Sequence, residues 1–230
     1  MTTYSAYATD PHLPSAPYST STDPLTVGLE VRCDTACWVT DLRWWQPAGG
    51  TTSSSARTVS LYRATGVSTG ALLYSGSSSP GGATDAWIDH TMSAPVQLAA
   101  GSTYILTVWH PSGGWPMYTN WFEPGGPGAS SLTVGPVTIP TSSASGFGGQ
   151  GRYDFGTGPS DYPQDFYANA QFWLDFIVTD VDPGGGAPGV PLDTDATLSG
   201  ATRPPALTGT ARPPILAGAD RPPTLTGRRP

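Results

Sequence analysis

From Leu25 to Val31 every second residue is apolar: Leu25, Val27, Leu29 and Val31 alternate with Thr26, Gly28 and Glu30. A period of two puts one face of the segment on a core, so this run predicts an amphipathic strand. Similar short runs recur. CWVTDLRWWQ over 37–46 follows the turn Asp34–Thr35–Ala36, and together with 25–31 it predicts a hairpin. Val59 and Leu61 lie in TVSLYRA, Ala71 to Tyr74 form a short apolar run, and Trp87 and Ile88 sit in ATDAWIDHTM. TYILTVWH over 103–110 is apolar on both faces, which predicts a central strand. QFWLDFIVT over 171–179 sets Phe172, Leu174, Phe176 and Val178 on one face. Trp38, Trp44, Trp87, Trp109 and Trp173 fall in these runs and are expected in the core.

Short strands divided by turn clusters predict an all-β antiparallel sandwich. The chain divides into an irregular N-terminal arm over 1–24, a sandwich over 25–181, the linker DPGGGAPGV over 182–190 and a repeat tail over 191–230. Inside the sandwich, 111–165 reads as loop, long enough to suggest a functional surface. Composition narrows the choice: 29 Gly and 25 Pro among 230 residues leave no room for a helical bundle or a doubly wound α/β fold. Ten percent aromatics argues against general disorder.

Four segments carry a resemblance: WVTDLRWW, VSLYRATG with LLYSG, APVQLAAGSTYILTVWHPSGGW, and FWLDFIV. In this order they resemble a domain-of-unknown-function family of β-sandwich modules on bacterial surface, secreted and carbohydrate-active proteins, often actinobacterial. The resemblance covers roughly 25–180. It implies a jelly-roll or immunoglobulin-like sandwich and suggests glycan or surface attachment, with no catalytic signature.

Charge separates the parts. The net charge is -7 and all ten basic residues are Arg. The acids concentrate before residue 190, whereas 191–230 set five Arg against Asp193, Asp195 and Asp220. An acidic body is a poor nucleic-acid binder, and no apolar run is long enough for a membrane span. Absence of Lys fits a GC-rich genome. Met1 to Pro14 lack a basic and apolar leader, so export by a signal is not expected. Release by lysis, inside a virus particle, reconciles that start with an extracellular style of β-domain.

The tail repeats with a period of nine. Arg-Pro-Pro starts at Arg203, Arg212 and Arg221, and Leu-x-Gly starts at Leu198, Leu207, Leu216 and Leu225. Proline excludes a helix and favours polyproline II, in which nine residues make three whole turns and every Leu falls on one face. The docking candidates are Leu198, Arg203, Pro204, Leu207, Arg212, Pro213, Leu216, Arg221, Pro222 and Leu225. A disordered low-complexity linker is the plain alternative.

Candidate chemistry is sparse. Cys33 and Cys37 flank a three-residue turn, where both a disulfide and two free thiols are open. Two Cys and three scattered His do not make a metal site. Asp154, Asp161, Asp165 and Asp175 could supply paired carboxylates for glycoside hydrolysis, or Asp161 and Asp165 calcium ligands, but the spacing matches no known calcium loop. They are expected to be solvated, with His90 and His110 at strand ends. The rings are more informative. Trp115, Tyr118, Trp121 and Tyr162 sit among Gly and Pro, as candidates to stack on sugar faces or to cap the core. The expected function is a non-enzymatic virion protein without cofactor: a minor tail or tail-tip component docked through 191–230, a homo-oligomer that binds a host-surface glycan. The alternatives are a capsid decoration or head fibre, or a stand-alone carbohydrate-binding module.

Overall fold

Both faces of the alternating segment at 25–33 turn out to be covered, and this organises the whole molecule. The computed structural model describes residues 1–7, 22–47, 55–83, 85–155, 158–159 and 161–184, all within the unit Met1–Leu192. Among the described residues the strands are β1 Thr3–Tyr4, β2 Leu25–Cys33, β3 Cys37–Gln46, β4 Arg57–Gly66, β5 Thr69–Ser78 and β6 Ala86–Leu98. They continue with β7 Thr103–His110, β8 Leu132–Val134, β9 Val137–Ile139, β10 Arg152–Phe155, β11 Asp165–Phe166 and β12 Leu174–Thr179. The repeat tail and its docking candidates lie outside the described residues. No helix among the described residues is long and apolar enough to cross a membrane.

The strands form two antiparallel sheets packed as the expected sandwich. The smaller is ordered β1-β12-β3-β6 and the larger β11-β10-β2-β7-β4-β5, with the β8–β9 hairpin attached to the end of β2. Leu25, Val27, Leu29 and Val31 of β2 join Val59, Leu61, Leu106 and Val108 in a core with Leu42, Trp44, Leu174, Phe176 and Val178 of the smaller sheet. β7 pairs with β2 on one side and β4 on the other, so the strand apolar on both faces is central. Trp38, Trp44 and Trp173 are buried, whereas Trp87 and Trp109 are half-buried.

The chain between β2 and β3 is a corner, not the expected hairpin. β2 lies in the larger sheet and β3 in the smaller, so Asp34–Thr35–Ala36 carries the chain between layers. Both hydrogen-bonding edges of each strand are already occupied, β2 by β7 and by β9 and β10, β3 by β12 and β6. Alternation fixes which face is apolar but not whether two such faces lie side by side or stacked. A further local departure follows in β3. Its register slips between Val39 and Asp41, beside a slip between Ile177 and Val178 of β12. The extra residue switches phase, so Cys37 and Val39 face the core before it and Leu42 and Trp44 after it.

The arm is also not wholly irregular. Thr3 and Tyr4 pair with Thr179 and Val178, and Tyr7 is buried in the core. Fully buried Asp175 holds this segment. Its carboxylate accepts from Ser5 Oγ (2.5 Å), Ala6 N (3.0 Å), Tyr7 N (3.2 Å) and Arg43 Nη1 (3.3 Å). Burial raises the Asp175 pKa even so, against the lowering effect of Ser5 and of the Phe176, Tyr7 and Ala6 N–H groups.

The segment 111–165 is more structured than its Gly and Pro content suggests. β9 and β10 extend the edge of β2, β10 opposite residues 25–28 and β9 opposite Arg32 and Cys33. Glu30 lies between the two, and a side chain fills the gap. Gln150 Oε1 accepts from Glu30 N at 3.0 Å while Gln150 Nε2 donates to Glu30 O at 2.9 Å. The amide stands in for a neighbouring strand and satisfies both backbone groups. Above it, Tyr62, Ala64, Ile105 and Tyr162 form a second apolar cluster with Phe147 against it. Gly28 lets the cover approach closely: a Cβ would stand 3.1 Å from Pro163 and 3.2 Å from Ile105, and those side chains would have to shift by a few tenths of an ångström. Glu30 and Arg152 are buried beneath this cover, with Arg152 Nη2 3.6 Å from Glu30 Oε2.

Candidate functional site: an aromatic cleft

Tyr153 and Phe155 project from β10 on the same side as their partners Val27 and Leu25, the core side of the larger sheet. The smaller sheet has four strands and the larger extends beyond it to β10 and β11. A recess of about 270 Å³ results, lined by Leu25, Trp115, Met117, Tyr153, Phe155, Tyr167 and Phe172. Its rings meet edge to face. Trp115 and Phe155 have centroids 6.1 Å apart, Tyr153 and Phe155 5.4 Å, and Tyr153 and Tyr167 6.2 Å. Phe155 and Tyr167 remain 53% and 45% exposed, so the rim is an apolar surface facing water. The volume is just under the roughly 300 Å³ at which small-molecule pockets begin, which suits one flat ligand ring or two.

The family model for this domain matches residues 11–174, most of the chain. The chain belongs to DUF4082, a domain of unknown function. No curated protein matches it. The DUF4082 span contains every residue that lines the cleft.

Within this DUF4082 sandwich the four rings proposed as an exposed platform do not form one. Trp121 is buried in the main core against Trp173, with centroids 5.2 Å apart, and against Tyr7 at 6.4 Å. Tyr162 is buried on the outer face of the larger sheet, edge-on to Tyr62 at 5.5 Å, with its hydroxyl donating to Gly66 O. Trp115 is 6% exposed and forms a wall of the cleft. Only Tyr118 of the four is open, at 40%, standing on Trp121. Glycine and proline neighbours made these rings look like loop residues, but the loops close over the core and the area of a ring favours burial. Of the seven lining residues only Trp115 is among those four candidates; Leu25, Met117, Tyr153, Phe155, Tyr167 and Phe172 are not. Strand pairing of β10 was the missing signal, since RYDF alternates over too few residues to be read alone.

The polar candidates separate likewise. Asp175, expected on a solvated loop, is the buried anchor of the N-terminal segment. Asp154, Asp161 and Asp165 lie near one another, and burial first, then Asp165 and Asp161, raise the Asp154 pKa. Asp165 is directly opposite Tyr153 in the ladder, so it shares the cleft's face. No group of three His, Cys, Asp or Glu side chains positioned for a metal occurs among the described residues. His90 Nε2 meets the Tyr74 hydroxyl at 2.7 Å. His110 is buried, not a surface residue, and its Nδ1 accepts from Arg57 Nε at 3.1 Å. Burial and then the Arg57 guanidinium push the His110 pKa well down, so the ring is neutral. Arg57 stacks 4.1 Å over Trp44, and burial lowers its own pKa to about 10. Cys33 and Cys37 are free thiols with sulfurs 3.8 Å apart, at the corner that joins the sheets. The hydrogen bond shared with Cys33, reinforced by burial, pushes the Cys37 thiol far up.

Proposed function

We propose that this chain is a non-enzymatic structural protein of a phage virion, a minor tail or tail-tip component whose sandwich is displayed and whose repeat tail docks to the particle. The observation that supports it is the make-up of the cleft. Its seven lining side chains offer stacking and burial, which are means of binding rather than of bond-making. Many copies on one particle turn a shallow contact of this kind into firm attachment. The tail, with its register of nine, supplies a second, chemically different contact, because its charge is opposite in sign to that of the body. Mass spectrometry of purified virions, followed by separated head and tail fractions, tests the reading. The chain is expected in the tail fraction. Its absence from intact particles overturns the proposal, and enrichment in heads moves it to a capsid decoration or head fibre. A stand-alone carbohydrate-binding module is the second reading, favoured by the exposed ring of Tyr118 beside the cleft residue Met117.

A further inference from the structure

The cleft combines exposed rings with an acid. Its floor and walls are rings, and two of these, Phe155 and Tyr167, are left about half exposed. Its rim carries an acid: Asp165 stands opposite Tyr153 on the cleft's face, whereas Asp154 alternates to the other face of β10. The guanidinium of Arg152 does not serve this rim, because it is buried on the other face of the sheet, over Tyr162 and Phe166. A matching ligand presents flat apolar rings with a cation displaced to one side. Aromatic grooves take proline-rich segments in this way, because polyproline II is already extended and loses little entropy on docking.

This chain contains such a ligand three times over. Arg203-Pro204-Pro205-Ala206-Leu207 is followed by Arg212-Pro213-Pro214-Ile215-Leu216 and Arg221-Pro222-Pro223-Thr224-Leu225. In polyproline II, residues three apart share a face. A repeat bound in that conformation would set Pro204 and Leu207 on one face about 9 Å apart, with Arg203 on the next face round. In that conformation successive repeats would present the same face about 28 Å further on. The charges are complementary, since 191–230 carry five Arg against three Asp while the body is acidic.

We propose that the cleft is the receptor for the Arg-Pro-Pro-x-Leu repeats of a second copy of this chain, with Pro and Leu on the rings and Arg on Asp165 at the rim. One tail offers several identical sites, so it can serve the clefts of several neighbours, and this favours a contact between copies. The inference rests on the reading of the cleft as the module's binding surface. It does not depend on the virion assignment: absence from particles leaves it standing, and its failure leaves the virion assignment untouched.

The test uses full-length protein throughout. One variant, Phe155→Ser with Tyr167→Ser, removes the exposed rings of the cleft. A second, Arg203→Glu with Arg212→Glu and Arg221→Glu, spoils the tail while leaving a cleft free. Circular dichroism confirms that both fold. The synthetic peptide 201–227 is titrated calorimetrically into the tail variant. Saturable binding is expected, weakening as salt screens the Arg–Asp attraction and falling at least about ten-fold when the two ring substitutions are added. In sedimentation the parent is expected to self-associate, each variant to do so at least about ten-fold more weakly, and an equal mixture of the two to recover, because one supplies a tail and the other a cleft. A silent peptide titration, or one unchanged by the ring substitutions, overturns the proposal. A parent that stays monomeric at every concentration overturns the assignment to a second copy. Heat from an N-acetylglucosamine tetramer with silence from the peptide gives the cleft to a glycan instead.

Discussion

Arg152→Met is the sharpest test of how the long 111–165 segment is held to the sandwich. Arg152 Nη2 lies 3.6 Å from Glu30 Oε2, with the two side chains 0% and 1% exposed. The guanidinium also donates to Val67 O at 2.9 Å, to Pro163 O at 3.3 Å and to Phe147 O. Removing one member of a buried pair leaves an uncompensated charge and costs about 3–5 kcal/mol. For a protein of this size that is a fall in Tm of about 6–20 °C. Part of the loss depends on pH. Burial raises the Glu30 pKa above its ordinary value, while the Ser145 hydroxyl, Arg152 and the Gly146 N–H pull it back. The other ionisable group against it is the Tyr162 phenol, itself raised mainly by burial. A carboxyl whose folded pKa is raised is penalised as pH climbs through that pKa, and the penalty vanishes below its unfolded value. Loss of Arg152 raises Glu30 further, so the deficit against the parent is larger at pH 7 than at pH 4. The lost carbonyl contacts give a remainder that does not vary with pH. Adding Glu30→Gln recovers part of the pH 7 loss, because the neutral amide removes the unpaired charge, its Oε1 still accepts from Gly146 N, and the Ser145 hydroxyl can turn to accept from Nε2. Thermal unfolding of parent, single and double variants at both pH values measures this. A deficit below about 1 kcal/mol at pH 7, or one equal at both pH values, refutes the buried-pair account.

Other outcomes follow from the same structure. Gln150→Ala orphans the N–H and C=O of Glu30 and is expected to cost about 2–4 kcal/mol in denaturant unfolding, with faster amide exchange at Glu30. Asp175→Ala removes the shared acceptor of residues 5–7, so limited proteolysis should cleave within the first seven residues while the rest of the sandwich persists. Trp115→Ala should lower stability by about 3–5 kcal/mol whereas Tyr118→Ala leaves it within about 0.5 kcal/mol, and equal effects would contradict their assigned burial. Cys33 and Cys37 should resist thiol reagents in the native protein and react on unfolding, since both are buried and Cys37 is held as the thiol.

The sequence by itself determined the longer strands of the sandwich, but not the short ones of the arm and of 111–165. Alternation over 25–33, the doubly apolar run at 103–110 and the ring-bearing run at 171–179 are local signals of burial, and burial follows from apolar area alone. It also showed the repeat tail, because a period needs no folded structure to be seen. What it could not determine was which faces meet. Cys33 and Cys37 are consistent with a hairpin or a corner, and only the occupied edges of β2 and β3 decide for the corner. Trp115, Trp121 and Tyr162 look like exposed loop rings until the loops are seen to close over the core. Gln150 and Arg152 read as polar residues in a glycine-rich stretch, yet one completes a strand edge and the other neutralises a buried acid 122 positions away along the chain. The cleft itself arises because one sheet is wider than the other. That is a property of pairings between distant segments, and no local pattern encodes it.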